Sequence, residues 1–205
     1  MLKLFPFSNY FHAFVFGHQD FMPLPPATAR ILAHARAYSV EIFRREDGLW
    51  DIDARLTDTK TREVQLKSKL LPPHHPLHDV LLRLTVDTEG HVIDATAVLD
   101  AIPFLGFCDT IDAAYKKLIG LNVLSDFRQA VRERFAGVAG CAHLNELALI
   151  LPDVAILVLP FEHRKELDHD TRNKKPFELD NCHALRTDGP AVALYYPRWV
   201  VTSTK

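Results

Sequence analysis

Glycine is scarce in this sequence, eight residues in 205, and none stands in a phosphate-binding loop or a dinucleotide fingerprint. No nucleotide cofactor is therefore expected, and the serine-nucleophile elbow of the hydrolases is missing as well. Only three cysteines are present, with no C-x-x-C pair. So small and odd a set excludes a disulfide framework and suits a reducing, cytoplasmic setting. Neither charge sign dominates: 24 Lys and Arg against 26 Asp and Glu leave a formal net charge of −2. Nucleic acid would need a strongly basic face, so it is not expected as a partner. No stretch approaches the roughly 20 apolar residues of a membrane span, so a membrane is not expected either. Near the start, Pro6, Ser8, Asn9 and His12 interrupt the aromatic run that ends at Phe16, which does not read as a secretory signal.

What is present is ordinary globular usage, 48% hydrophobic and 24% charged, enough for one domain that folds without disulfides. Residues 1–21 read as an N-terminal extension, because no periodic pattern ties them to a core. Residues 22–159 read as an α+β core domain and 160–205 as a polar C-terminal tail. Period-two alternation marks strands: Tyr38, Val40 and Ile42, then Trp50, Ile52, Ala54 and Leu56, with Glu46-Asp47-Gly48 as the turn between them. A short strand is expected over 62–66. A second hairpin follows, with Val80, Leu82, Leu84 and Val86 running to the turn Asp87-Thr88-Glu89-Gly90 and a return over 92–98. Helices come after. Asp109-Thr110 is placed to cap one that stops at Gly120, and Ser125 to cap a second. A third carries Leu144, Leu147, Ala148 and Leu151 on one face, and Pro152 either kinks it or starts another. Strands followed by helices give an antiparallel sheet covered by helices.

Chemistry concentrates at a few positions. Cys108 and Cys141 each stand where a helix should begin, and free N–H groups there favour thiolate. His78 and Asp79 open the strand that precedes Cys108, so they can share one end of the sheet with it. His143 joins this set if Cys141 precedes the first helical turn, since positions two apart within a helix diverge. Buried free cysteines also serve as small apolar packing residues, and spacing alone leaves both readings open. His74-His75 and His78 form a local histidine cluster that could bind metal, though histidines between prolines more often read as an exposed loop. Asp51, Asp53 and Asp58 read as the wet face of the first hairpin, and Asp180 as the cap of a short helix holding Cys182.

Two resemblances add to these readings. The runs Arg44-Arg45-Glu46-Asp47-Gly48-Leu49-Trp50-Asp51, Asp58-Thr59-Lys60 and Gly140-Cys141-Ala142-His143-Leu144 resemble a bacterial family of unknown function, over most of residues 23–159. Residues 77–158 are similar to the U-type iron–sulfur cluster scaffold proteins. Leu77-His78-Asp79 stands where that family has Cys-Gly-Asp, Phe107-Cys108 where it has Gly-Cys, and Gly140-Cys141 through Glu146 at its last motif. That resemblance implies the scaffold fold with an added N-terminal hairpin, and Asp79, Cys108 and Cys141 as ligand-equivalent positions. The first cysteine is absent, with His78 as its nearest substitute.

The expectation is a metal- or iron–sulfur-binding protein, with a site drawn from His78, Asp79, Cys108, Cys141 and His143 and taking Zn²⁺ or a cluster. The alternatives are a thiol-dependent enzyme using Cys108 or Cys141 with a histidine base, or a metal-free module that binds a protein partner or small molecule.

Overall fold

The computed structural model describes residues 25–162, 175–176 and 178–201. The chain divides into two units, 1–33 and 34–205. The described part of the first, 25–33, carries no regular secondary structure. The expected extension over 1–21 lies outside the described residues, as does most of the charged run that follows Glu162.

In the second unit, β1 (His34–Arg44), β2 (Trp50–Lys60), β5 (Pro76–Val86) and β6 (Val92–Ala101) form one antiparallel sheet in the order β1-β2-β5-β6. The expected strand near 62–66 is β3 (Val64–Gln65), which pairs only with β4 (Leu70–Leu71) in a small separate hairpin. Both long hairpins close where the glycines fall. Gly90 takes a φ of 89°, and a Cβ there would meet the Leu124 side chain at 2.9 Å, so this turn accepts nothing larger. Asp87 secures it by accepting the backbone N–H groups of Glu89 and His91.

Alternation sends Trp50, Ile52, Ala54 and Leu56 of β2, and Val80, Leu82, Leu84 and Val86 of β5, to a single buried face. The other face stays polar, with Arg55 on Asp79 and Arg83 on Asp53 as bidentate ion pairs. This is the α+β architecture expected from the alternation and the helical stripes.

The covering layer departs from expectation in its details. Cys108–Leu118 is a 3-10 helix, and Phe107, not Asp109 or Thr110, stands at its cap without a side-chain bond. Its buried residues Tyr115 and Leu118 are three apart, the spacing at which side chains eclipse in that tighter helix. Helix α1 (Phe127–Arg134) is preceded by Asp126 in the left-handed conformation and not capped by Ser125. The loop before it is set by Asn122, whose Oδ1 accepts the Leu124 N–H at 2.8 Å.

Helix α2 (Ala142–Glu162) runs on through Pro152. Arg128 of α1 donates to the Leu149 carbonyl at 3.0 Å and pairs with Asp153 at 2.5 Å, bracing the turn that the proline loosens. Its stretch Ala142–Pro160, of mean hydropathy 1.7, is long and apolar enough to cross a membrane, which corrects the expectation that no such stretch exists. Leu144, Leu147, Ala148, Leu151, Ala155 and Leu159 are buried in the core formed with the sheet. In the tail, α3 (Pro190–Tyr195) buries Val192. Asp180 caps no helix: at a φ of 64° it accepts the Thr187 N–H at 2.7 Å and the Lys175 ammonium.

Candidate metal centre

The apolar stripes of β1, β2 and β5 all turn polar at the same end of the sheet. Continuing Leu56, Ala54 and Ile52 by one more step of two, β2 places Asp58 on the covered face, 1% exposed. On one side it faces Arg36 of β1 and on the other His78 of β5. Helix α2 lays its first turn over this row, bringing His143 and Glu146 down from above.

Asp58 is the centre of the cluster. Arg36 donates Nε to Oδ1 at 2.8 Å and Nη2 to Oδ2 at 2.7 Å, a bidentate pair. His34 Nε2 lies 3.0 Å from Oδ1, and His78 Nδ1 lies 3.1 Å from Oδ2. His143 Nε2 stands 3.7 Å from the same Oδ2, and the two imidazole rings of His78 and His143 lie with centroids 3.8 Å apart. Glu146 accepts from Arg36 Nη1 at 2.7 Å and from the Tyr38 hydroxyl at 2.6 Å.

Burial drives the Asp58 carboxyl up, but the Arg36 pair and His78 outweigh it and hold it at about 2. Burial likewise pushes His78 below its ordinary value, only partly offset by Asp58, so its imidazole is neutral near pH 7. The guanidinium of Arg36 is held charged by Asp58.

Cys141 sits immediately before α2, its carbonyl accepting the Asn145 N–H at 2.9 Å. That position outside the first turn lets its Sγ come within 3.9 Å of His143 Nδ1, although the two residues are only two apart. Burial pushes its thiol up, while His143 and the backbone N–H groups of Leu144 and His143 prevail and lower it. Tyr115 fixes this corner: its hydroxyl receives the Cys141 N–H at 3.0 Å and bonds Asn145 Oδ1 at 2.6 Å.

Of the residues singled out in the sequence, the structure gathers His78, His143 and Cys141. Asp79 is directed to the opposite face of the sheet, where it pairs with Arg55, because adjacent strand residues alternate. Cys108 opens the 3-10 helix and is no member of the Asp58, His78 and His143 group. Asp58 does not share the wet face expected for it with Asp51 and Asp53: it is an even number of steps from Leu56 and they are not. The same parity leads back along β1 from Val40 through Tyr38 and Arg36 to His34.

Residues 34–157 match the family described as "Protein of unknown function (DUF2889)", and the chain belongs to that family. No curated protein and no solved structure matches it, so the likeness of residues 77–158 to the iron–sulfur scaffolds has no structural neighbour behind it.

Proposed function

We propose that this member of a family without an assigned activity binds a divalent transition metal through Asp58 Oδ2, His78 Nδ1 and His143 Nε2. The observation that carries the reading is the spacing of these three donors, which come from three separate elements. Tetrahedral ligands at about 2.0–2.1 Å from Zn²⁺ are about 3.3–3.4 Å from one another. The two separations from Asp58 Oδ2, 3.1 and 3.7 Å, bracket that value, and Asp58, His78 and His143 each offer one ligand atom within 4.8 Å of the others. The imidazole of His78 is already neutral, as a ligand must be.

The surroundings support the same reading. His143 turns Nδ1 toward Cys141 at 3.9 Å, and with Nδ1–H donating to that sulfur its Nε2 lone pair would face the metal position. Arg36 and His34 orient the carboxylate from its other sides. Arg36 is already matched by the carboxylates of Asp58 and Glu146, with which it pairs at 2.7 Å each. Two nitrogens and one oxygen favour Zn²⁺ or a similar ion with a position left open. An iron–sulfur cluster needs several thiolates, and among the described residues Cys141 is the cysteine in contact with this group, its Sγ 3.9 Å from His143 Nδ1.

One observation favours a second reading. Cys141 Sγ, His143 and Asp58 lie in series at 3.9 and 3.7 Å, the order of a thiol nucleophile, its base and the group that orients the base. Metal analysis of untagged protein decides between them. Stoichiometric zinc or iron, lost in His78→Ala and His143→Ala and kept in Cys182→Ser, supports the metal centre. Metal-free protein that takes up none on titration, with a Cys141 thiol alkylated fast near neutral pH, would replace it with the thiol enzyme.

A further inference from the structure

The two edges of the main sheet are treated differently. Along β6 the pairing with β5 is broken by two register shifts, and the 3-10 helix Cys108–Leu118 packs beside it. Its first residue is also occupied from outside: Val92 donates to the Leu121 carbonyl at 2.8 Å and accepts the Gly120 N–H at 2.9 Å. Bulges and cover of this kind are how sheets blunt their edges.

Strand β1 has none of these devices. It pairs with β2 over eleven consecutive residues without a shift, and contains no proline, lysine or glycine. From Ala35 to Phe43, no backbone hydrogen bond closes its outer side among the described residues. Large apolar groups lie open along it, Tyr38 at 46% and Phe43 at 47%. A straight edge of this length is a template for another strand.

We infer that β1 is the dimer interface of this protein, pairing antiparallel with β1 of a second copy about a two-fold axis at Ser39. That register uses the whole strand. It sets His34 against Arg44, Ala35 against Phe43, Arg36 against Ile42, Ala37 against Glu41 and Tyr38 against Val40, so that neither arginine faces an arginine and Glu41 faces no carboxylate. A shift of the axis to Val40 would oppose Arg36 to Arg44, and a shift to Glu41 would oppose that carboxylate to itself. A two-fold antiparallel junction is isologous and closes as a dimer, giving one eight-stranded sheet (4 + 4) with the helices of both copies on the same side. It also brings Ile42 of the second copy beside Arg36, covering the open flank of the Asp58 cluster.

Because Ser39 meets its own copy at the axis, a charge placed there acts against itself. Its side chain lies on the exposed polar face, so substitution leaves the core untouched. Sedimentation equilibrium of the full chain should give twice the monomer mass of 23.3 kDa. Ser39→Lys and Ser39→Glu should each sediment as monomers with unchanged circular dichroism, and an equimolar mixture of the two should recover the dimer mass. A wild-type monomer at every soluble concentration would overturn the inference, as would single variants that remain dimeric. Failure of the mixture to re-form the dimer would overturn the Ser39 register.

Discussion

Replacing Asp58 by asparagine should sharply change how stability depends on pH. The carboxyl is 1% exposed and its pKa falls from 3.8 to about 2 on folding, because Arg36 and His78 outweigh the cost of burial. A depressed carboxylate contributes stability above its unfolded pKa and loses it as pH falls toward the folded one. A fall from 3.8 to about 2, at 1.36 kcal/mol for each tenfold change in proton affinity, amounts to about 2 kcal/mol. At pH 7 the variant loses this charge and turns an amide toward the guanidinium, at a cost on the order of 2–4 kcal/mol. Urea denaturation of both proteins at intervals from pH 7 to pH 2 isolates the effect as a double difference. The gap between them should narrow by about 2 kcal/mol as pH falls through the window between the two pKa values. Parallel curves across that window would refute the reasoning, since they would mean that Asp58 titrates alike in the folded and unfolded chain.

Metal binding should weaken as pH falls, because a protonated imidazole cannot ligate. The depressed pKa of His78 carries binding somewhat below its ordinary value of 6.5, which zinc titrations at descending pH will show. Cys108→Ser and Asp79→Asn should both leave metal stoichiometry unchanged by elemental analysis, since neither residue belongs to the cluster. Arg128→Ala should cost about 1–3 kcal/mol in denaturant unfolding and speed amide exchange around Pro152, because the Leu149 carbonyl loses the guanidinium and Asp153 its partner.

Most of the sheet is legible in the sequence because period two is a local signal. Tyr38 through Ile42, Trp50 through Leu56 and Val80 through Val86 each alternate cleanly, and the glycines mark the turns. The helix caps are not legible in the same way. Several side chains can compete for the same orphan N–H groups, and Asn122, not Ser125, holds the approach to α1. Arg128, twenty-four residues before Pro152 (152 − 128), reaches the Leu149 carbonyl in the turn ahead of that proline, a contact that no local pattern encodes.

The candidate site shows both limits at once. His78, His143 and Cys141 were findable as residue types near element ends. Asp58 was hidden among other aspartates, although its parity with Leu56 marks it as inward-facing. A polar residue that continues an apolar stripe is a stronger signal than one in a polar run, because burial must be compensated. Here the compensation is elaborate: a guanidinium and three imidazoles from β1, β5 and α2 surround one carboxylate. Buried ionic clusters contribute little net stability, and well-packed apolar groups of similar volume are often as stable or more so. One more leucine on each strand would have closed this end of the core. That the chain spends an arginine, an aspartate and three histidines here instead argues for a role in binding, and places it where the helix start of α2 meets the last row of the sheet.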